Sequence, residues 1–318
     1  MRSLAERRRF RPAGAGLLAI VLAALSPPGA AIDVAPLWNF ADPAASEAAF
    51  RAALASAASR DDALSLQTQI ARTLGLRSRF DDAHALLDRI EPELAGAGAE
   101  PQVRHRLERG RAFRSAKRPA DARPLFVDAA ERARAAGLDA LRVDALHMVA
   151  LVEAEPAEQL RWNREALAVA TASADPAARN WDASLLNNIG VTLHQIGRHA
   201  EALASFEQAL AARQRIGTAA RIAEARWMVA WTLRALQRHD DALAILRRLE
   251  AAHAATGSED GFVFEELAEN LLAKGRADEA RPYFARAFSA LSRLLPLERP
   301  APERLERLER LGRQGGFR

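Results

Sequence analysis

The chain has 318 residues, 49% of them hydrophobic but only 6% aromatic, with 45 basic and 41 acidic side chains and a formal net charge of +4. It contains no cysteine, which excludes disulfides, a lipid-anchored cysteine and a thiolate metal site. The apolar fraction rests largely on alanine, a composition that suits close packing of helix on helix and poorly suits a sheet core.

Residues 1–31 read as a secretory signal peptide. Arg2, Arg7, Arg8, Arg9 and Arg11 form a basic start, Ala13 to Leu25 an apolar stretch, and Pro27-Pro28-Gly29-Ala30-Ala31 a helix-breaking exit of small residues. The apolar stretch is shorter than the roughly 20 residues a spanning helix needs, so cleavage near Ala30 or Ala31 is expected, with an uncleaved inner-membrane anchor as the alternative. Arg7-Arg8-Arg9-Phe10 resembles a twin-arginine export signal, from which Arg11 and Pro12 depart. Five arginines and one glutamate leave with this segment, taking the whole net charge of +4 with them. The electrostatic footprint expected of a nucleic-acid binder is largely lost with it. Only Lys117 and Lys274 are lysines, a usage that fits a GC-rich bacterial source.

Residues 32–60 form an N-terminal capping segment: Trp38-Asn39-Phe40-Ala41-Asp42-Pro43, followed by Phe50 and Leu54, predicts a helix with Asp42 as N-cap and Pro43 at its first position. From 61 to 296 a small residue recurs in the middle of alternate helices, at Ala83, Ala122, Gln159, Ala202, Ala242 and Ala280, defining six units. An apolar residue follows four positions later in most units (Leu87, Phe126, Phe206, Leu246, Phe284), and a small or apolar one three beyond that, on the same helical face. Polar or glycine-bearing corners precede each small residue, as at Gly197-Arg198-His199 and Lys274-Gly275-Arg276. The final segment, 297–318, carries Leu305, Leu308 and Leu311 on a short amphipathic helix, a second cap, and ends in a frayed tail at Gly315-Gly316.

This punctuation, clearest from Leu186-Asn187-Asn188-Ile189-Gly190 to Phe206-Glu207-Gln208-Ala209, resembles the tetratricopeptide repeat family over residues 61–296. The family's first-helix glycine is matched by Gly110 and Gly190 and replaced by alanine at Ala71, Ala230 and Ala268; its corner glycine is matched by Gly197 and Gly275. The copy around Gln159 is degenerate, compressed by Glu155-Pro156, and the long period implies helices extended by about a turn. A HEAT or armadillo array fits the period but not the Gly/Ala/Phe spacing. The resemblance implies an all-α fold, a right-handed α-solenoid of antiparallel helix pairs whose first helices line a concave groove.

The family's groove spacing selects Arg72 in the first unit; Arg104, Arg111 and Arg114 in the second; Asp144 and Met148 in the third; Asn187 and His194 in the fourth; Trp227, Trp231 and Arg234 in the fifth; and Glu265 and Glu269 in the sixth. The arginines could hold carboxylates of an acidic or C-terminal peptide, or form a solvated face. Asn187 could bond a peptide backbone through its amide. Trp227 and Trp231 could form an aromatic wall with Arg234 beside it, or pack between repeats.

Residues for chemistry are missing. The seven histidines form no HExxH pattern, and no phosphate loop, nucleophile elbow or isolated acid/base pair is present, so no cofactor, metal or catalytic residue is expected. The expectation is a periplasmic or secreted scaffold or adaptor that binds a protein or peptide partner, without nucleic acid and without a membrane contact after signal cleavage. The alternative is a regulatory or sensor module acting on a separate catalytic partner, and self-association is a further possibility.

Overall fold

The computed structural model describes residues 32–295 and 299–313, so the signal peptide and the Gly315-Gly316 tail lie outside the described residues. Two compact units divide the chain near Leu185, and each is taken by itself. The described residues are helical throughout, with no strand among them.

The N-terminal unit opens with an extended segment and a single turn of 3-10 helix, Ala35–Leu37. Helix α1 (Pro43–Leu54) follows; Asp42 caps it by accepting hydrogen bonds from the Ala44 and Ala45 amides. Three antiparallel pairs then stack in order: α2 (Arg60–Leu76) with α3 (Phe80–Ile90), α4 (Ala99–Ser115) with α5 (Pro119–Ala135), and α6 (Asp139–Ala150) with α7 (Pro156–Ala172). The short α8 (Pro176–Arg179) leads to α9 (Asp182–Gln195), which crosses into the second unit. There α9 and α10 (His199–Ile216), α11 (Ala219–Ala235) and α12 (His239–Ala255), and α13 (Gly261–Ala273) and α14 (Ala277–Ser292) make three more pairs, closed by α15 (Pro302–Arg313). Helices of 17 and 18 residues, such as α4, α5, α10 and α11, account for the long repeat period.

The repeated small residues pack as their spacing demands. Ala83, Ala122, Ala202, Ala242 and Ala280 are all fully buried, as are Leu87, Phe126, Leu246 and Phe284, with Phe206 almost so. A Cβ placed on Gly110 would come within 2.5 Å of the Phe126 ring, and one on Gly190 within 2.7 Å of Phe206. The ring therefore lies directly on the partner helix backbone.

Five of the corners share one closure. Ser78, Lys117, Gly197, Gln237 and Gly275 all adopt left-handed backbone, with φ between 59° and 78°. In each, the following arginine amide donates back to a carbonyl five residues earlier: Arg79 to Leu74, Arg118 to Phe113, Arg198 to Leu193, Arg238 to Leu233 and Arg276 to Leu271, all at 2.9 Å. This bond satisfies one of the carbonyls that a helix end leaves unpaired. Each corner arginine then bonds an acid three residues on, namely Asp82, Asp121, Glu201, Asp241 and Glu279.

The α6/α7 pair is the exception. In the other pairs the small first-helix residue lies twelve positions before the small second-helix one, a register that puts His147 at the glycine position and Asn163 at the phenylalanine position. Asn163 is 2% exposed, its Nδ2 donates to the Gln159 carbonyl, and its amide lies near the His147 ring. A polar contact thus fills the space that a ring on glycine fills elsewhere.

Candidate binding face

In the N-terminal unit the first-helix face is held together by its own charges. Arg111 on α4 donates through Nη1 to Glu108 Oε1 and through Nη2 to both oxygens of Asp144 on α6, all at 2.5 Å. Arg72 on α2 stands 3.8 Å from Glu108 and lies over the rings of Trp38 and Phe40, 5.1 and 5.4 Å from their centroids. Arg104 donates to Glu100 one turn back on its own helix. Arg114 is half-buried on the same face and acts electrostatically on His147.

The electrostatics follow from this crowding. Burial alone would push the Asp144 carboxyl up, but the Arg111 and Arg72 guanidiniums outweigh it and hold the group below its ordinary value. Arg111 is pushed up, because the attraction of Asp144 and Glu108 exceeds the cost of its burial. Burial lowers His147 to about 4, against the opposing pull of Asp144, so its ring is neutral at pH 7.

Two of the expected ligands here have structural work instead. Arg111 is committed to Glu108 and Asp144, so a peptide carboxylate would have to displace two existing partners. Met148 is 6% exposed within the apolar core formed by Val103, Leu107, Phe126 and their neighbours, and offers no side-chain surface. Here α6 meets α7 with His147 and Asn163 in place of the glycine and the ring, and the residue after His147 turns inward. Glu108, His147 and Asn163 were missed at the sequence level, although the twelve-residue register would have singled out the last two.

In the C-terminal unit the first-helix face is aromatic and then charged. The His194 ring on α9 stacks on Trp231 of α11, with centroids 3.4 Å apart and planes inclined by 18°. Trp231 in turn stacks on Trp227 at 5.9 Å. Trp227 itself is only 1% exposed, and its Nε1 donates to the Phe262 carbonyl at 3.1 Å. It therefore belongs between α11 and α13 and not in a ligand wall. Trp231 is half-buried.

Arg234 grips Glu266 of α13 with two bonds of 2.7 and 2.9 Å. Glu265 and Glu269 are bonded by Arg304 and Arg307 of α15. Burial raises the Glu266 carboxyl even with Arg234 in place, and the burial of His194, reinforced by His199 and Arg234, lowers that ring to about 4. Asn187, two turns before His194 on α9, is half-buried, and among the described residues its amide makes no hydrogen bond. Beyond Trp231 a cleft of about 540 Å³ opens, lined by Arg234, Gln237, His239, Glu269, Leu272 and Ala273.

The structure thus brings Asn187, His194, Trp231 and Arg234 together on one face, while it commits Arg72, Arg104 and Arg111 to acids and removes Met148 and Trp227 to the interior. No group of three or more metal-ligating side chains occurs among the described residues, and no described helix is long and apolar enough to cross a membrane.

Antiparallel helix pairs stacked within each unit, with small residues buried at equivalent positions, define a helical-repeat protein. Residues 181–254 match the tetratricopeptide repeat family model. That stretch carries the tetratricopeptide repeat pattern, and the described residues have a TPR-like solenoid fold. Among solved structures the chain is similar to the apo form of RapI, with a TM-score of 0.68 at 13% identity over 84% of this chain and 75% of that one. It is similar also to a signal-transduction ATPase with numerous domains and a tetratricopeptide repeat sensor from Pyrococcus horikoshii, with a TM-score of 0.62 at 13% identity. That match takes in 78% of this chain but only 39% of the ATPase. A Rap protein complexed with Competence and Sporulation Factor is a third, with a TM-score of 0.54 at 16% identity over 80% of this chain and 73% of that one. At such identities the likeness is one of fold. No curated protein sequence matches the chain.

Proposed function

We propose that this protein is a non-catalytic adaptor, exported to the periplasm or beyond, that captures a peptide segment or an extended loop of a partner on the first-helix face of its C-terminal unit. The observation that carries this reading is the row from Asn187 through His194 and Trp231 to the open cleft beside Arg234. An unengaged amide can take both an N–H and a C=O of a passing backbone. The half-buried Trp231 ring and the cleft lined in part by Leu272 and Ala273 can take an apolar side chain. Such a preformed surface binds without making or breaking bonds. The Rap protein found with Competence and Sporulation Factor supports it by analogy of fold.

A second reading, a sensor module that acts on a separate enzyme, draws on the fold likeness to the sensor-bearing ATPase. Pull-down with the exported form from a periplasmic extract separates the two: a stoichiometric enzyme among the captured proteins favours the sensor.

The binding site is tested with peptides selected from a displayed random library on the full chain. Asn187→Ala and Trp231→Leu should each weaken a selected peptide about tenfold, a loss of about 1.4 kcal/mol, and Trp fluorescence should change on binding. Undiminished affinity in both variants would place the partner elsewhere.

A further inference from the structure

Asp62 is a buried carboxylate that faces no counter-charge among the described residues. It is 8% exposed in the first turn of α2, and among the described residues it forms no ion pair. Its side chain accepts one hydrogen bond, at 2.9 Å on Oδ1, from the backbone N–H of Ile32. Nearby charges are engaged elsewhere: Arg60 with Glu93, Asp61 with the Gly98 amide, and Asp33 with the Ala35 amide. Glu108 and Asp144, buried to a similar degree, both face guanidiniums. A buried carboxylate held by a single neutral donor is poorly compensated.

The donor stands at a notable bond. Ile32 follows Gly29-Ala30-Ala31, which puts small residues at the first and third positions before it, at the end of the basic and apolar run that leader peptidases act on. Its side chain packs against the apolar core of the N-terminal unit, alongside the buried Val34. The segment then continues across α2: Trp38 Nε1 donates to Gln69 Oε1, and Trp38 and Phe40 stack beside Arg72.

We infer that the chain is cut between Ala31 and Ile32 by a leader endopeptidase, and that the new Ile32 α-ammonium forms an ion pair with Asp62 that pins residues 32–40 onto α2. In the cut, water adds to the Ala31 carbonyl carbon and the C–N bond breaks. Ala31 leaves as a carboxylate carrying the water's oxygen, and the Ile32 nitrogen takes up both of the water's protons to become an α-ammonium. The same nitrogen that donates as a neutral amide then carries the charge that Asp62 lacks, and a charge-assisted bond is the stronger. This inference rests on the export reading and is independent of the binding face.

The test has two readouts. The full chain is expressed in a secreting bacterial host, and the exported product is analysed by intact mass and N-terminal sequencing. The expected start is Ile32; an uncut chain, or any other start, overturns the inference. The 32–318 chain is then prepared with a free or an acetylated N-terminus, each with Asp62 or Asp62→Asn. The free amine should raise the melting temperature by about 4 °C over the acetylated form. That gap should vanish with Asp62→Asn. An ion pair raises the folded α-amine above its unfolded value of about 7.7–8.0, so the gap is present below that pH and closes as pH rises through the folded value. Equal melting of the free and acetylated forms, a comparison that needs no substitution, overturns the ion pair.

Discussion

Arg111 illustrates how a side chain suited to ligand capture can instead hold a repeat array together. It joins α4 to α6 through Asp144, and with Glu108 and Arg72 it extends the tie to α2. Removal of one partner of so enclosed a pair leaves the other charge uncompensated, so Arg111→Ala should lower stability by about 3 kcal/mol, read as a shift in the urea midpoint. A ligand-only role would leave that midpoint in place. The histidines make a second prediction. His147 and His194 are lowered from 6.5 to about 4 in the folded chain, so the unfolded chain binds more protons between those values. Stability should be full above about pH 6.5 and erode as pH falls toward 4, with the depressed Asp144 adding its own loss at lower pH. Urea midpoints at pH 7, 5.5 and 4.5, with His147→Gln as control, check this. The first-helix positions can be aligned in the sequence because the twelve-residue spacing to the second helix is strict. Their employment was not legible there, since whether an arginine faces solvent or a carboxylate depends on the next repeat, some 35 residues away.

Pairs of helices obey simple local rules, and two of them can be tested. Ser78, Lys117 and Gln237 adopt the left-handed backbone that Gly197 and Gly275 adopt at equivalent corners, so glycine at any of the three should stabilise by about 0.5–1 kcal/mol, and Gly197→Ala or Gly275→Ala should destabilise by a similar amount. Thermal melts of the single variants suffice. The second rule concerns α6 and α7. Asn163→Phe alone should drive the ring into His147, and His147→Gly alone should leave a void, yet the double variant restores the ring-on-glycine contact of α4/α5 and α9/α10. A double-mutant cycle should show coupling of about 1–3 kcal/mol in favour of the pair. Corners and small-residue faces were readable from spacing alone, because each is set within some twenty residues. The α6/α7 copy read as degenerate for the same reason: its replacement for the ring is a polar contact, and a search for apolar residues passes over it.

For the molecule as a whole, stability built from neighbouring repeats makes damage local. Gly190→Ala forces the Phe206 ring off α9, and hydrogen exchange should then rise in α9, α10 and α11 well before it changes in α2 and α3. Uniform loss of protection would argue for one cooperative block. The last helix carries a different consequence. Leu308 and Leu311 of α15 are buried, a Cβ on Gly312 would come within 2.8 Å of the α14 backbone at Ala285, and Arg304 and Arg307 answer the acids of α13. Stacking of like upon like has no internal limit, so whatever lies over the final pair acts as a stopper. A chain cut before Pro302 should offer an apolar ledge with two unanswered carboxylates, and its particle size by light scattering should climb with concentration, where the full chain holds steady.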